Sequence, residues 1–235
     1  MLSSLATRER IPELMDEPGL ETAEHQRALN GLARINRWSR SDAILWPNVL
    51  TAARNSHGSI VKILDVATGA GDVPFNLWRR ANRAKIPVEI HACDISETAL
   101  DYAQEKASRD RVPIHFFRHD AVAAPLPGGF DLVTASLFLH HLSDDAGVTL
   151  FRRMSAAGRA IAVNDLARSR FGYALAWMGT RLLSRSRIVH FDGPASVRSA
   201  FTPDEALALA ERAGLRGAKV EPRWPCRYLL TWSRT

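Results

Sequence analysis

The sequence predicts an α/β fold: a mostly parallel sheet with helices on both faces, an antiparallel edge strand and a helical N-terminal extension. Three observations predict it. Short apolar runs alternate with helical stretches between residues 60 and 163, the rhythm of βαβ units. The runs are almost continuously apolar, as strands covered on both faces must be. The first of them opens into a small-residue turn containing Gly69 and Gly71.

Residues 20–37 carry an amphipathic helical pattern through Leu29, Leu32, Ala33 and Ile35, and a second helix is expected over 42–54. The polar stretch Asn55-Ser56-His57-Gly58-Ser59 then divides a helical N-terminal cap or lid, 1–57, from a main domain, 58–235. Strands are expected over 60–66, 88–93, 114–118, 130–135 and 160–163, and helices over 74–82, 97–107 and 144–155. Residues 166–201 break this rhythm and hold Phe171, Tyr173, Trp177 and Met178 among several arginines. A marked helix follows: Thr202 as N-cap, Pro203 at the first helical position, Glu205 completing a capping box and Gly214 able to end it. Two strand-like runs, 218–221 and 227–232, suit an antiparallel edge.

Bulk properties narrow the function. A chain of 235 residues with 46% apolar residues fills one α/β domain. The net charge of +6 and pI of about 9.9 would suit a polyanionic partner. The basic residues are scattered arginines, with lysine only at Lys62, Lys85, Lys106 and Lys219, so no dedicated nucleic-acid arm is expected. Cys93 and Cys226 form neither a metal spacing nor a disulfide framework, and no metal is expected. Arg8, Glu9 and Arg10 precede any apolar run, unlike a signal peptide, and the longest apolar stretch, 171–179, is far shorter than a transmembrane segment. The expected compartment is the reducing cytoplasm.

The strongest motif is Ile63-Leu64-Asp65-Val66-Ala67-Thr68-Gly69-Ala70-Gly71-Asp72. A strand ends in an acid and runs into a glycine turn that opens a helix. A dinucleotide fold needs a third glycine where Pro74 stands, and Asp65 and Asp72 would oppose a diphosphate. A ligand with an ammonium and a sulfonium, such as S-adenosylmethionine, reverses that objection, because the acids then face positive charge. A glycine turn that binds nothing is the alternative. Asp94 ends the second strand, where a carboxylate can accept ribose hydroxyls, and Asp120-Ala121 follows the third, where it can accept an adenine amino group. Each could instead be a surface or capping aspartate. In an open α/β sheet, however, the carboxyl ends of strands line the ligand crevice.

These residues, with Phe130-Asp131-Leu132-Val133 and Leu137-Phe138-Leu139-His140-His141-Leu142, give residues 60–165 a resemblance to the class I S-adenosylmethionine-dependent methyltransferases. The chain looks most like the ubiquinone- and menaquinone-biosynthesis type. Ala67 and Asp72 stand where the broader family has glycines. The resemblance implies a Rossmann-like fold with S-adenosyl-L-methionine as cofactor. It implies that Asp65 and the loop residues Ala67, Thr68, Gly69 and Gly71 hold the methionine part, Asp94 and Ile95 ribose and adenine, and Asp120 and Ala121 the adenine edge. Ser136 and Leu137 would line the cofactor. Arg37, Trp38 and Arg40 are lid candidates, with Arg40 either pairing with the methionine carboxylate or remaining a surface arginine.

The acceptor is read by elimination. No Asn/Asp-Pro-Pro-Tyr run follows the fourth strand, which disfavours base amines and glutamine amides, and a buried Cys93 is a poor covalent nucleophile. The aromatics of 166–201 suit an acceptor-binding segment, or else ordinary core. The expected reaction is O-methylation of a small phenolic, quinol or polyketide-like hydroxyl. RNA or protein methylation and a catalytically silent cofactor-binding module are the alternatives; no oligomeric state follows from the sequence. For the acceptor's proton, one of His140 and His141 should face the pocket while the other packs away. His141 is favoured as base, with Asp165 orienting it or acting instead and His190 a weaker rival.

Overall fold

The computed structural model describes residues 5–14 and 40–234. The expected helix at 20–37, with Arg37 and Trp38, lies outside the described residues. Helix α1 (Ser41–Asn55) leads into β1 (Val61–Val66), α2 (Asp72–Arg83), β2 (Val88–Asp94), α3 (Glu97–Asp110), β3 (Ile114–Arg118) and β4 (Phe130–Ser136). A 3₁₀ turn (Leu139–His141) and α4 (Asp144–Ala157) precede β5 (Gly158–Leu166). Then come α5 (Arg170–Leu183), α6 (Arg187–Ser199), α7 (Pro203–Arg212), β6 (Lys219–Arg223) and β7 (Arg227–Ser233).

The strands form one sheet in the order β3-β2-β1-β4-β5-β7-β6. The first five run parallel, and β7 pairs antiparallel with both β5 and β6. Successive residues serve opposite faces, the period-2 consequence of the pleat. Ile63, Leu132, Ala162 and Leu229 pack with Leu45 and Val49 of α1 and Leu77 of α2. Leu64, Val133, Val163 and Leu230 pack with Phe151 and Met154 of α4 and Leu209 of α7. Both faces of the central strands are covered, and in β1 and β5 the polar residues sit near the ends: Lys62 and Arg159 near the amino ends, Asp65, Asn164 and Asp165 near the carboxyl ends.

Helix α1 packs on the sheet through Leu45 and Val49. The 166–201 segment is a pair of helices, α5 and α6, packed on each other. The helix at 203 has both halves of its capping box, Thr202 accepting from the Glu205 N–H and Glu205 from the Thr202 N–H. The direction in which successive strands are added reverses between β1 and β4, since β2 and β3 lie to one side of β1 and β4 and β5 to the other. That switch point opens the crevice at the strands' carboxyl ends.

Candidate active site

The turn between β1 and α2 is built on left-handed residues: Ala67 (φ 54°), Gly69 (φ 54°) and Gly71 (φ 74°). Gly71 is required twice over, by its φ and because a Cβ there would sit 3.3 Å from both Ala103 Cβ and the Phe116 ring. Asp65, 1% exposed, accepts from Thr134 Oγ1 at 2.6 Å and Thr68 Oγ1 at 2.7 Å. Burial, only partly offset by those hydroxyls and reinforced by Asp94, pushes its carboxyl up to about 6.

Asp94 holds the loop as well as facing the crevice. One oxygen accepts from the Gly69 N–H at 2.7 Å and the other from the Ser96 N–H at 2.9 Å. Each oxygen keeps a lone pair for a hydroxyl. Ile95 beside it is 58% exposed, an apolar platform at the crevice. One Asp120 oxygen accepts from the Val122 and Ala123 N–H groups, the capping geometry foreseen as its alternative role. Ala121 is buried in the core, with its carbonyl taken by Arg153 at 3.2 Å. Asp72 is committed to Lys106 at 2.6 Å, which corrects the expectation that it faces a ligand cation. Cys93 is buried, and burial pushes its thiol up to about 12, the wrong direction for a nucleophile.

On the other side of the switch point, Ser136 ends β4 and Leu137 adopts φ 58° with its N–H on the Asn164 carbonyl. Arg40 stands at the N-cap of α1 with φ 47°. The histidine pair then follows. His140 is 4% exposed; its Nδ1–H donates to Asp165 Oδ1 at 2.7 Å and its N–H to Asp165 Oδ2 at 3.1 Å. Asp165 also accepts from the Leu166 N–H. Glu13 approaches from the N-terminal segment, 3.5 Å from His140 Nε2 and 3.9 Å from His141 Nε2, and receives the Ser196 hydroxyl. Burial alone would favour neutral His140, but Asp165 and Glu13 overcome it and raise the imidazole to about 10. Donor atoms of Glu13, His140 and His141 lie within 4.8 Å of one another, a spacing suited to a cation.

This geometry corrects two expectations. Asp165 engages His140, not His141. The two rings do not diverge but lie 4.3 Å apart, tilted by 34°, and both approach Glu13. His141 keeps the more accessible ring. His190 Nε2 is tied to the Ser184 carbonyl at 2.8 Å.

Comparison with known proteins fits this geometry. Residues 63–159 match a family model described as a methyltransferase domain. The chain is 32% identical over 119 residues to a demethylmenaquinone methyltransferase from Deinococcus radiodurans, covering 49% of this chain and 47% of that one. It is 30% identical over 127 residues to a ubiquinone biosynthesis O-methyltransferase from Methylococcus capsulatus, covering 53% and 51%. The match thus spans about half the length of these curated relatives. The structure of human N-acetylserotonin methyltransferase in complex with S-adenosylmethionine shares the fold at TM-score 0.63 and 17% identity, over 93% of this chain and 60% of that one.

Two features of the site escaped the sequence. One is the N-terminal strap. The Arg8 guanidinium donates to the carbonyls of Ser199 (2.6 Å), His140 (3.0 Å) and Leu142 (2.6 Å) and to Asp144 (3.0 Å), and lies 3.6 Å over the Phe201 ring. The strap delivers Glu13 to the histidines. The other is Arg227, buried at 5% exposure where β7 begins. Nothing in a lone arginine before a tyrosine marks it for burial.

Proposed function

We propose that the chain transfers the methyl group of S-adenosylmethionine to a hydroxyl oxygen of a small phenolic, quinol or polyketide-like acceptor. The observation that carries this reading is the buried Asp65 beside a left-handed glycine turn, its carboxyl raised to about 6 and its side-chain hydrogen bonds made to two hydroxyls, Thr134 and Thr68. The residues fit a cationic nucleoside and oppose a diphosphate. Bound there, the cofactor supplies an electrophilic methyl whose bonding electrons stay with sulfur on transfer. Asp65 and the loop residues 67–71 hold its amino-acid end, Asp94 its ribose and Ile95 the face of its base, with Asp120 and Ala121 at the adenine edge. Ser136 and Leu137 line it from β4, and Arg40 stands at the methionine end.

Catalysis then rests on aim and dryness, since in-line transfer needs the acceptor oxygen aligned and water excluded. Helices α5 and α6 cover the acceptor side and select the substrate. The acceptor's proton passes to His141, the more accessible ring of the pair. His140, already protonated between Asp165 and Glu13, positions the turn and supplies positive charge. The names of the curated relatives, both acting in quinone biosynthesis, agree with a small-molecule acceptor. Among the described residues no helix is long and apolar enough to cross a membrane.

Calorimetric titration with S-adenosylhomocysteine and with NAD tests the assignment. S-adenosylhomocysteine should bind and NAD should not. Asp94→Ala should weaken binding by about 1–3 kcal/mol, the cost of unpaired polar groups, with the fold intact. Tighter binding of NAD would refute the proposal. Cofactor binding without turnover on any hydroxylated aromatic would identify a silent module.

A further inference from the structure

Arg227 is 5% exposed, and its side chain has a single hydrogen-bond partner among the described residues. Its Nη1 donates to Ser41 Oγ at 2.8 Å, and among the described residues it forms no other hydrogen bond and no ion pair. Asp165 acts on it only at longer range, and burial prevails, lowering the guanidinium to about 10. Buried guanidinium groups ordinarily sit against a carboxylate or fill their five donor positions. The neighbours do not resolve the shortage. Asn164, fully buried, donates from Nδ2 to Ser41 Oγ at 3.1 Å and to Ser136 Oγ at 2.8 Å, and its Oδ1 accepts nothing. Ser41 Oγ thus takes two donors, from Asn164 and Arg227. The cluster of Arg227, Asn164, Ser41 and Ser136 holds a surplus of donors and one positive charge. The surplus persists with the Asn164 amide turned the other way.

The position narrows the ligand. Arg227 begins β7, opposite Leu166 at the carboxyl end of β5. β7 is two strands beyond β4, about 10 Å at the usual strand spacing, away from the glycine turn and on the acceptor's side of the crevice. We propose that Arg227, with Asn164 and Ser41, is the subsite for an anionic oxygen of the acceptor, a carboxylate or an ionised acidic phenol or enol. This rests on the methyltransferase reading and sharpens it: the acceptor is an acidic hydroxylated compound, anchored by its anion while its hydroxyl meets the methyl donor. The orphan Asn164 Oδ1 suits a hydroxyl adjacent to that anion.

The test uses the full chain saturated with S-adenosylhomocysteine and two matched probes, 2-hydroxybenzoate and the neutral 2-hydroxybenzamide. The carboxylate should bind at least tenfold more tightly than the amide. Arg227→Gln should erase that preference and leave the affinity for S-adenosylhomocysteine within twofold. Because a buried substitution can compromise folding, Asn164→Asp provides a second reading: it gives Arg227 an internal carboxylate, so it should raise the melting temperature and abolish 2-hydroxybenzoate binding. Equal binding of the two probes overturns the subsite. A loss of S-adenosylhomocysteine affinity in Arg227→Gln, with the carboxylate preference kept, also overturns it and assigns the arginine to the cofactor's own carboxylate. If S-adenosylhomocysteine does not bind at all, the cofactor assignment fails, and the same probes titrated into the unliganded chain still read Arg227.

Discussion

At the residue scale, two titrating groups make the sharpest statements. Asp65 is favoured in its protonated form by the fold, with its carboxyl raised from 3.8 to about 6. Its contribution to stability is therefore fully present below pH 3.8 and is lost as pH rises toward 6, then constant. The loss amounts to about 3 kcal/mol at 1.36 kcal/mol per unit. Asp65→Asn should flatten that part of the stability-versus-pH curve in chemical denaturation. A cofactor cation prefers the carboxylate, so S-adenosylhomocysteine should bind more tightly as pH rises from 5 to 7, and Asp65→Asn should remove the trend in calorimetry. His141 makes the kinetic statement. His141→Gln, assayed at saturating cofactor across pH, should lower the rate by about 10²–10⁴-fold, the range for a lost general base. A loss under tenfold with an unmoved pH profile would leave His141 a packing residue.

At the element scale, the turn from β1 into α2 does the most with the least. Gly71 caps α2 with φ 74°, and its missing side chain lets Ala103 and Phe116 close against the backbone. Gly71→Ala should cost about 1–2 kcal/mol from the left-handed conformation alone. It should also weaken S-adenosylhomocysteine binding, because the displaced backbone belongs to the loop that Asp94 pins through Gly69. Thermal melting and calorimetry on one variant separate the two effects. Elements of this kind were legible in the sequence: the loop, the acids ending β1 and β2, and the capping box at Thr202 are all set by residues close to one another in the chain. The histidine turn was not. Whether adjacent side chains part or stack depends on the backbone they sit on, and three residues of 3₁₀ turn leave little trace in composition.

At the scale of the whole molecule, the crevice joins groups that are far apart in sequence: Glu13 and His140, Ser41 and Arg227, Ser136 and Asn164. A ligand that bridges such groups binds the folded chain alone and should stabilise it by mass action. S-adenosylhomocysteine at a hundred times its Kd should add about 2.7 kcal/mol to unfolding stability. The readout is a concentration-dependent rise in melting temperature, which NAD should not reproduce. By itself the sequence determined the layer architecture and the cofactor loop. Hydrophobic periodicity dictates which segments become buried strands or covering helices, and glycine with its flanking acids restricts what the turn between them can accept. Only the tertiary structure decided the acceptor side. It buried His140 between two carboxylates, gave Asp165 to His140 instead of His141, and left the Arg227 side chain beneath the surface with a single hydrogen bond among the described residues. Charge, burial and partner are properties of a place where distant segments meet, and no local run of residues records them.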